Sequence, residues 1–145
     1  MPVVHRSVLV EFSADQMFAL VDNIESYRQF LPWCSGTQIV SREPGRVVAS
    51  IQVHFGGIRQ QFTTENATSS GDRIRIKLVS GPFRRLEGEW RFLQLGEHAS
   101  KVSLSLEYDF SSALLGKVLG PVFHQITDSL VDAFVRRAES VYGDR

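Results

Sequence analysis

The sequence predicts an α+β domain in which a curved antiparallel sheet of about seven strands surrounds a long C-terminal helix, with two short helices after the first strand. Three observations support this. Apolar and polar residues alternate at the N-terminus and again between regularly spaced turns from about residue 35 to 110. The last segment, residues 121–142, changes to a helical period. Strands followed by one broadly apolar helix make an α+β arrangement, and we expect one domain over residues 1–145.

The N-terminal elements follow from local patterns. Residues 3–12 place Val4, Val8, Val10 and Phe12 on one side, which predicts a half-buried strand. Ser13 and Gln16 then have the spacing of a capping box, which predicts the start of a short helix. A second short helix is expected within residues 23–33, where Pro32 prevents further extension.

The central region is predicted to be a meander of hairpins. Its breaks are Pro44-Gly45, Gly56-Gly57, Ser70-Gly71-Asp72, Gly81-Pro82 and Gly96. The strands between them alternate regularly, as in 102–110, where every second residue is apolar. Parallel strands buried on both faces would form continuous apolar runs instead, so the sheet is expected to be antiparallel with one face exposed to water.

The C-terminal helix is expected to begin at Pro121, because a proline in the first turn of a helix loses no hydrogen bond. At 100° per residue, the apolar side chains of residues 122–142 cover an arc of roughly 200°. This arc is wider than one-sided packing requires, so we expect a concave sheet to surround the helix.

Composition excludes several classes of function. The 145 residues carry 16 basic and 16 acidic side chains, so neither DNA nor an acidic membrane is indicated as an obligatory partner. Thirteen of the basic residues are arginines, which leaves an arginine-mediated contact with carboxylates or phosphates open. The single cysteine, Cys34, fits a reducing compartment, and no secretory signal or membrane span is visible. We therefore expect a cytoplasmic bacterial protein.

Catalytic and metal-binding patterns are not evident. The four histidines are scattered, and none has a partner at metal-ligand spacing with a third ligand nearby. The acidic residues of the strands mostly alternate with apolar ones and are expected on the solvated face, where residues 85–91 can form a cross-strand charge lattice. No glycine loop has the context of a phosphate site. We expect no catalytic residue, no metal and no cofactor, and hence a binding protein rather than an enzyme.

Four features are candidates for a ligand site. The segment at Phe30, Leu31, Pro32 and Trp33 is either a lid over the core or the mouth of a pocket. Gly88 lies mid-strand, where a glycine often marks a bend or the close approach of another group. Residues 114–120 are either a mobile gate or a packed loop. Arg137 lies inside the apolar arc of the helix, where it either reaches water with its charged end or anchors a ligand at the floor of a cavity.

Several segments resemble one family. YRQFLPWC (27–34), GPFRRLEGEWRF (81–92), LEYDFSSALLG (106–116) and VFHQITDSLVDAFVRRA (122–138) are similar to the coenzyme-Q-binding branch of the START-like, polyketide-cyclase-like superfamily. The resemblance covers essentially the whole chain and implies a helix-grip fold with a cavity between sheet and helix. It implies binding of ubiquinone or a similar isoprenoid lipid for respiration. The candidate ligand-binding residues are Phe30, Leu31, Pro32, Trp33, Phe83, Leu86, Trp90, Leu115, Val118, Phe123 and Arg137.

Two functions remain open, with a third less supported. The first is a quinone carrier or chaperone, whose pocket would measure roughly 300–1,000 Å³ and which could make transient contact with a membrane surface. The second is suggested by the bacterial members of this branch that are ribosome-association toxins: binding to the large ribosomal subunit, which blocks subunit association. The third, a cyclase-like enzyme, would need an inward polar residue that the sequence does not place.

Overall fold

The computed structural model describes residues 3–69 and 71–143, so Ser70, one of the predicted turn residues, lies outside the described residues. The elements run in this order: β1 (Val3–Val10), α1 (Ala14–Asp22), a 3₁₀ helix (Ile24–Gln29), β2 (Cys34–Glu43), β3 (Arg46–Phe55), β4 (Ile58–Ser69), β5 (Arg73–Ser80), β6 (Phe83–Gly96), β7 (Ala99–Phe110) and α2 (Ala113–Tyr142).

The seven strands form one antiparallel sheet in the order β1-β7-β6-β5-β4-β3-β2. Strands β2 to β7 are neighbours in sequence and in space, as a meander requires, and β1 pairs with β7. The two edge strands, β1 and β2, are consecutive in the chain, so α1 and the 3₁₀ helix connect opposite edges of the sheet. The predicted fold class, a curved antiparallel sheet with a long C-terminal helix and short helices after the first strand, is confirmed.

Turns and bulges give the sheet its shape. All five predicted breaks separate consecutive strands. Gly45 has φ +78°, the left-handed conformation that the third residue of a type II turn requires and that glycine adopts without strain. The register shifts between β2 and β3, between β4 and β5 and between β6 and β7, where the extra residues lie on β2, β5 and β6. Because a bulge bends its strand and increases the local twist, these shifts curve the sheet toward α2.

The two short helices form as predicted, with one difference of type. The side chain of Ser13 accepts a hydrogen bond from the Gln16 backbone N–H at 3.1 Å, and Gln16 Oε1 accepts one from the Ser13 N–H at 2.9 Å. This reciprocal pair is the predicted capping box. The second helix is 3₁₀ rather than α and stops at Gln29, short of the predicted limit at residue 33.

The start of the C-terminal helix was predicted wrongly. Helix α2 begins at Ala113, eight residues before Pro121, which lies inside it. Ser112 provides the N-cap, because its side chain accepts a hydrogen bond from the Leu115 N–H at 3.2 Å. Residues 114–120 are therefore helical and form neither a gate loop nor a packed loop. Packing of Leu119 in the core outweighs the low helix propensity of Gly116 and Gly120.

The core lies between the concave face of the sheet and α2. On β7 every second residue from Val102 to Phe110 is buried, as the alternation predicted. On α2 the buried apolar side chains are Leu119, Phe123, Ile126, Val131, Ala133, Phe134 and Ala138. The described residues include no helix that is both long enough and apolar enough to cross a membrane.

The convex face of the sheet carries charged side chains. Glu89 pairs with Arg73 at 2.7 Å and approaches Arg91 at 3.4 Å, and Arg85 pairs with Glu107 at 3.0 Å. This is the predicted cross-strand lattice. Exposed pairs of this kind each contribute only about 0–1 kcal/mol, so the lattice sets register and solubility more than stability.

Candidate ligand-binding cavity

A small cavity of about 90 Å³ lies between the sheet and α2. Its wall is mainly aromatic and aliphatic, with contributions from β3 to β7, α2 and the segment before β2. The aromatic members are Tyr27, Trp33, Phe62, Trp90, Phe123 and Phe134, and the aliphatic members are Ile51, Ile76, Leu86, Leu106, Ile126 and Leu130. The strand residues share one face of the sheet because side chains alternate along a strand.

Edge-to-face aromatic contacts hold the wall in place. The ring centroids of Phe134 and Trp90 are 5.3 Å apart, and those of Phe134 and Tyr27 are 5.4 Å apart. Each such pair contributes about 0.5–1.5 kcal/mol beyond area burial. These rings fill most of the space that the curved sheet encloses, which is why the cavity is smaller than the roughly 300–1,000 Å³ expected from the sequence.

One side of the cavity is polar. Thr64 and Asn66 of β4 lie beside Thr127 of α2. The hydroxyl of Thr64 donates to Asn66 Oδ1 at 3.1 Å, and that of Thr127 donates to the His124 carbonyl at 3.1 Å. The amide N–H₂ of Asn66 donates to no group in the described part of the chain. It is therefore free to donate to a ligand.

The ionisable groups near the cavity stay protonated at neutral pH. Burial is the main cause that raises the pKa of Tyr27, and the nearby Asp22 adds to it; the Tyr27 hydroxyl donates to the Val21 carbonyl. Burial also raises the pKa of the Cys34 thiol. Burial raises the pKa of Tyr108 too, and the nearby Thr127 side chain partly offsets this effect. Cys34 therefore lacks the thiolate that nucleophilic chemistry needs.

A second, smaller void of about 20 Å³ lies closer to the surface. Its wall includes Ile58 at the β3–β4 turn, Pro82 at the β5–β6 turn and Val122 of α2. Three residues, Phe62, Phe123 and Ile126, border both this void and the cavity.

The three shared residues form a partition between the cavity and the outer void. The centroid distance is 6.4 Å for Phe62 and Phe123 and 5.0 Å for Phe83 and Phe123.

The structure brings together some of the predicted ligand-binding residues. Trp33, Leu86, Trp90 and Phe123 line the cavity, and Phe83 joins Phe123 at the outer void.

Five others lie elsewhere. Leu31 is buried in the core, Phe30 packs on Phe134 at 5.1 Å, and Pro32 is exposed. Leu115 packs against the core at the start of α2, and Val118 is exposed.

Arg137 does not border the cavity. Its guanidinium lies 5.1 Å from the ring centroid of Phe30 and donates from Nη2 to Gln29 Oε1 at 2.9 Å. These contacts attach α2 to the end of the 3₁₀ helix. The location favours a structural role over a ligand anchor, because Arg137 is not among the residues that line the cavity.

The polar wall was not predicted from the sequence. Phe62, Thr64 and Asn66 are alternate residues of β4 and therefore lie on the same, inward face, where two polar residues follow an aromatic one. This alternation was visible in the sequence. The described residues contain no group of three His, Cys, Asp or Glu near enough to hold a metal ion.

The model of the family described as polyketide cyclase / dehydrase and lipid transport matches residues 10–135. The chain belongs to this family. The match includes β2 to β7 and most of α2, the elements that build the cavity, and it confirms the superfamily that the sequence resembled.

Two relatives and one solved structure are informative. The ribosome association toxin RatA of Vibrio cholerae is 45% identical over 99% of this chain and 100% of its own. The mitochondrial coenzyme Q-binding protein COQ10 homolog B of Xenopus laevis is 26% identical over 95% of this chain and 58% of its own. A START superfamily protein from Mycobacterium smegmatis superposes with a TM-score of 0.82 at 22% identity, covering 96% of this chain and 98% of its own, which shows the shared fold.

Proposed function

We propose that the protein binds ubiquinone or a similar isoprenoid lipid in the cavity between sheet and α2, as a non-enzymatic carrier or chaperone. The observation that carries this proposal is an enclosed aromatic wall with one polar side, formed by Thr64, Asn66 and Thr127. A quinone has the matching chemistry, because its flat ring is apolar on both faces and its carbonyl oxygens accept hydrogen bonds.

The polar wall supplies the orientation. The free amide N–H₂ of Asn66 is placed to donate to a quinone carbonyl, while Trp90 and Phe134 contact the ring. Removing the ring and tail from water contributes about 25 cal/mol per Å² of apolar surface.

The ligand needs more room than about 90 Å³. Displacing Phe62, Phe123 and Ile126 would join the cavity to the outer void and give the tail a route to the rim. Binding therefore requires the partition to open.

The polar groups at the cavity favour binding over catalysis. They are hydroxyls and an amide, whereas general acid–base chemistry uses a group that titrates near the working pH. The name of the COQ10 homolog adds support, since that relative is described as binding coenzyme Q.

Two measurements test the proposal. Mass spectrometry of an organic extract should detect a quinone that co-purifies with the protein. Titration with short-chain ubiquinone should quench tryptophan fluorescence, because the only two tryptophans, Trp33 and Trp90, both line the cavity. Asn66→Leu should weaken this binding about tenfold, the effect of one lost hydrogen bond of about 1.4 kcal/mol.

The control is Gln38→Leu, which replaces an exposed amide on β2 and should leave the titration unchanged. A clean extract together with no quenching by saturating short-chain ubiquinone would overturn the proposal.

A second candidate function is docking on the large ribosomal subunit to block subunit association. It is favoured by the 45% identity to a protein named as a ribosome association toxin. The convex face offers the exposed Arg75 and Lys77 for contact with phosphates. Co-sedimentation with large subunits should then weaken steeply with salt, because counterions are released on binding. Sedimentation that is absent at low salt would exclude it.

A further inference from the structure

The start of α2 exposes an apolar stripe. Leu114 is 71% exposed and Val118 is 49% exposed, and they lie one turn apart on the same side of the helix. The exposed Pro121 follows along that side, whereas Leu119 faces the core. Single exposed leucines are ordinary, but a contiguous apolar stripe beside a pocket indicates an interaction surface.

The stripe continues into the rim of the outer void. Val122 lies one turn beyond Val118 and lines that void together with Ile58, at the end of the β3–β4 turn. The glycines of this turn, Gly56 and Gly57, have open space where a side chain would be. The passage proposed for the ligand therefore opens at an apolar edge.

The charges at this edge have one sign. Residues 111–127 and 54–60 contain no aspartate or glutamate. Lys117 and Arg59 are exposed, and neither forms an ion pair within the described ranges. The acidic group just before this region, Asp109, pairs with Arg84, and the acids of α2 begin only at Asp128.

We propose that the first two turns of α2 and the β3–β4 turn form a docking surface for an anionic lipid bilayer. This deepens, and rests on, the proposed function, since it names the partner that receives the ligand at the same opening. Apolar side chains such as Leu114 and Val118 enter the boundary between headgroups and acyl chains, while Lys117 and Arg59 meet lipid phosphates. Bare RNA phosphates would give the two apolar side chains no favourable contact, so the stripe favours a bilayer.

Vesicle co-sedimentation tests this surface. The full chain should bind phosphatidylcholine vesicles containing phosphatidylglycerol, and bind less without phosphatidylglycerol or at high salt. Leu114→Asp combined with Val118→Asp should lower binding about tenfold or more. Leu93→Asp is the matched control, because Leu93 is 57% exposed on β6 and should tolerate the change with vesicle binding unchanged.

Short-chain ubiquinone, titrated without vesicles, separates this proposal from the proposed function. A double variant that keeps fluorescence quenching and its urea midpoint but loses vesicle binding supports the docking surface. If the protein binds vesicles but its fluorescence is not quenched by short-chain ubiquinone, the docking surface is supported and only the proposed quinone ligand is rejected. Vesicle binding that is equal for the double variant and the Leu93 control overturns it. A last outcome favours RNA over a bilayer. If the unmodified chain binds no vesicles and the double variant no longer co-sediments with large ribosomal subunits, the proposed bilayer-docking surface is overturned.

Discussion

Filling the cavity should stabilise the protein and prevent ligand binding. Leu130 faces the cavity from α2 and is only half-buried. A void costs about 24 cal/mol per Å³, so the observed 90 Å³ corresponds to about 2 kcal/mol of unrealised packing. Leu130→Phe would recover part of this, and we expect the free energy of unfolding to rise by about 1 kcal/mol.

Urea denaturation measures the first effect, with a higher midpoint and an unchanged slope. Quenching of Trp33 and Trp90 by short-chain ubiquinone measures the second, and we expect affinity to fall about tenfold or more because the ring competes for the same space. The control is Leu95→Phe, since Leu95 is 54% exposed on β6 and should change neither quantity.

One result would refute this reasoning. If Leu130→Phe lowers stability by more than about 1 kcal/mol and leaves quinone affinity unchanged, the site is overpacked. The void would then be no part of the binding space. Increased stability with unchanged affinity would place the ligand elsewhere on the protein.

Three further predictions concern backbone and protonation. Gly88→Ala should lower the free energy of unfolding, measured by urea denaturation, by about 1–3 kcal/mol, because the new Cβ would lie 2.6 Å from the Ser105 carbonyl oxygen. Gly96→Ala on the same strand is the control and should not destabilise the protein, because its Cβ has open space. Gly120→Ala should raise the free energy of unfolding by about 0.5–1 kcal/mol, since the helix gains propensity and the Cβ meets no atom within 4 Å; a drop in melting temperature would contradict this. Burial raises the pKa of Tyr27, so above about pH 10 the unfolded chain ionises first and stability falls by about 1.4 kcal/mol per pH unit for this group. Tyr27→Phe should make that alkaline slope shallower by this amount, and an unchanged slope would show that Tyr27 ionises normally in the folded protein.

Gly88 shows how far local pattern reaches. Its position within an apolar strand face predicted a bend or the close approach of another group. The structure shows a close approach, because a Cβ at this position would meet the Leu106 side chain and the Ser105 carbonyl oxygen. The prediction did not say which side was crowded. The crowding is with the neighbouring strand, so a larger residue at 88 would disturb the sheet before it filled the cavity.

Helix α2 shows where local pattern fails. A proline at 121 and glycines at 116 and 120 argue locally against a helix before 121. The helix nevertheless begins at Ala113, because Ser112 caps it and Leu119 is buried in the core. Such burial depends on residues distant in sequence, and no local propensity contains it.

Local signals were enough to determine the seven strands, the short helices and the antiparallel meander. These signals are the alternation of apolar and polar residues, the turn residues and the capping box, and each depends on neighbours within a few positions. The family resemblance then indicated a space between sheet and helix. Only the tertiary structure decided how large that space is and which side chains border it. Its volume depends on how rings from separate elements, such as Phe62 of β4 and Phe123 of α2, pack against each other. The sequence therefore determined which residues face inward, and the packing of those residues decided that the cavity is small and has a polar side at Thr64 and Asn66.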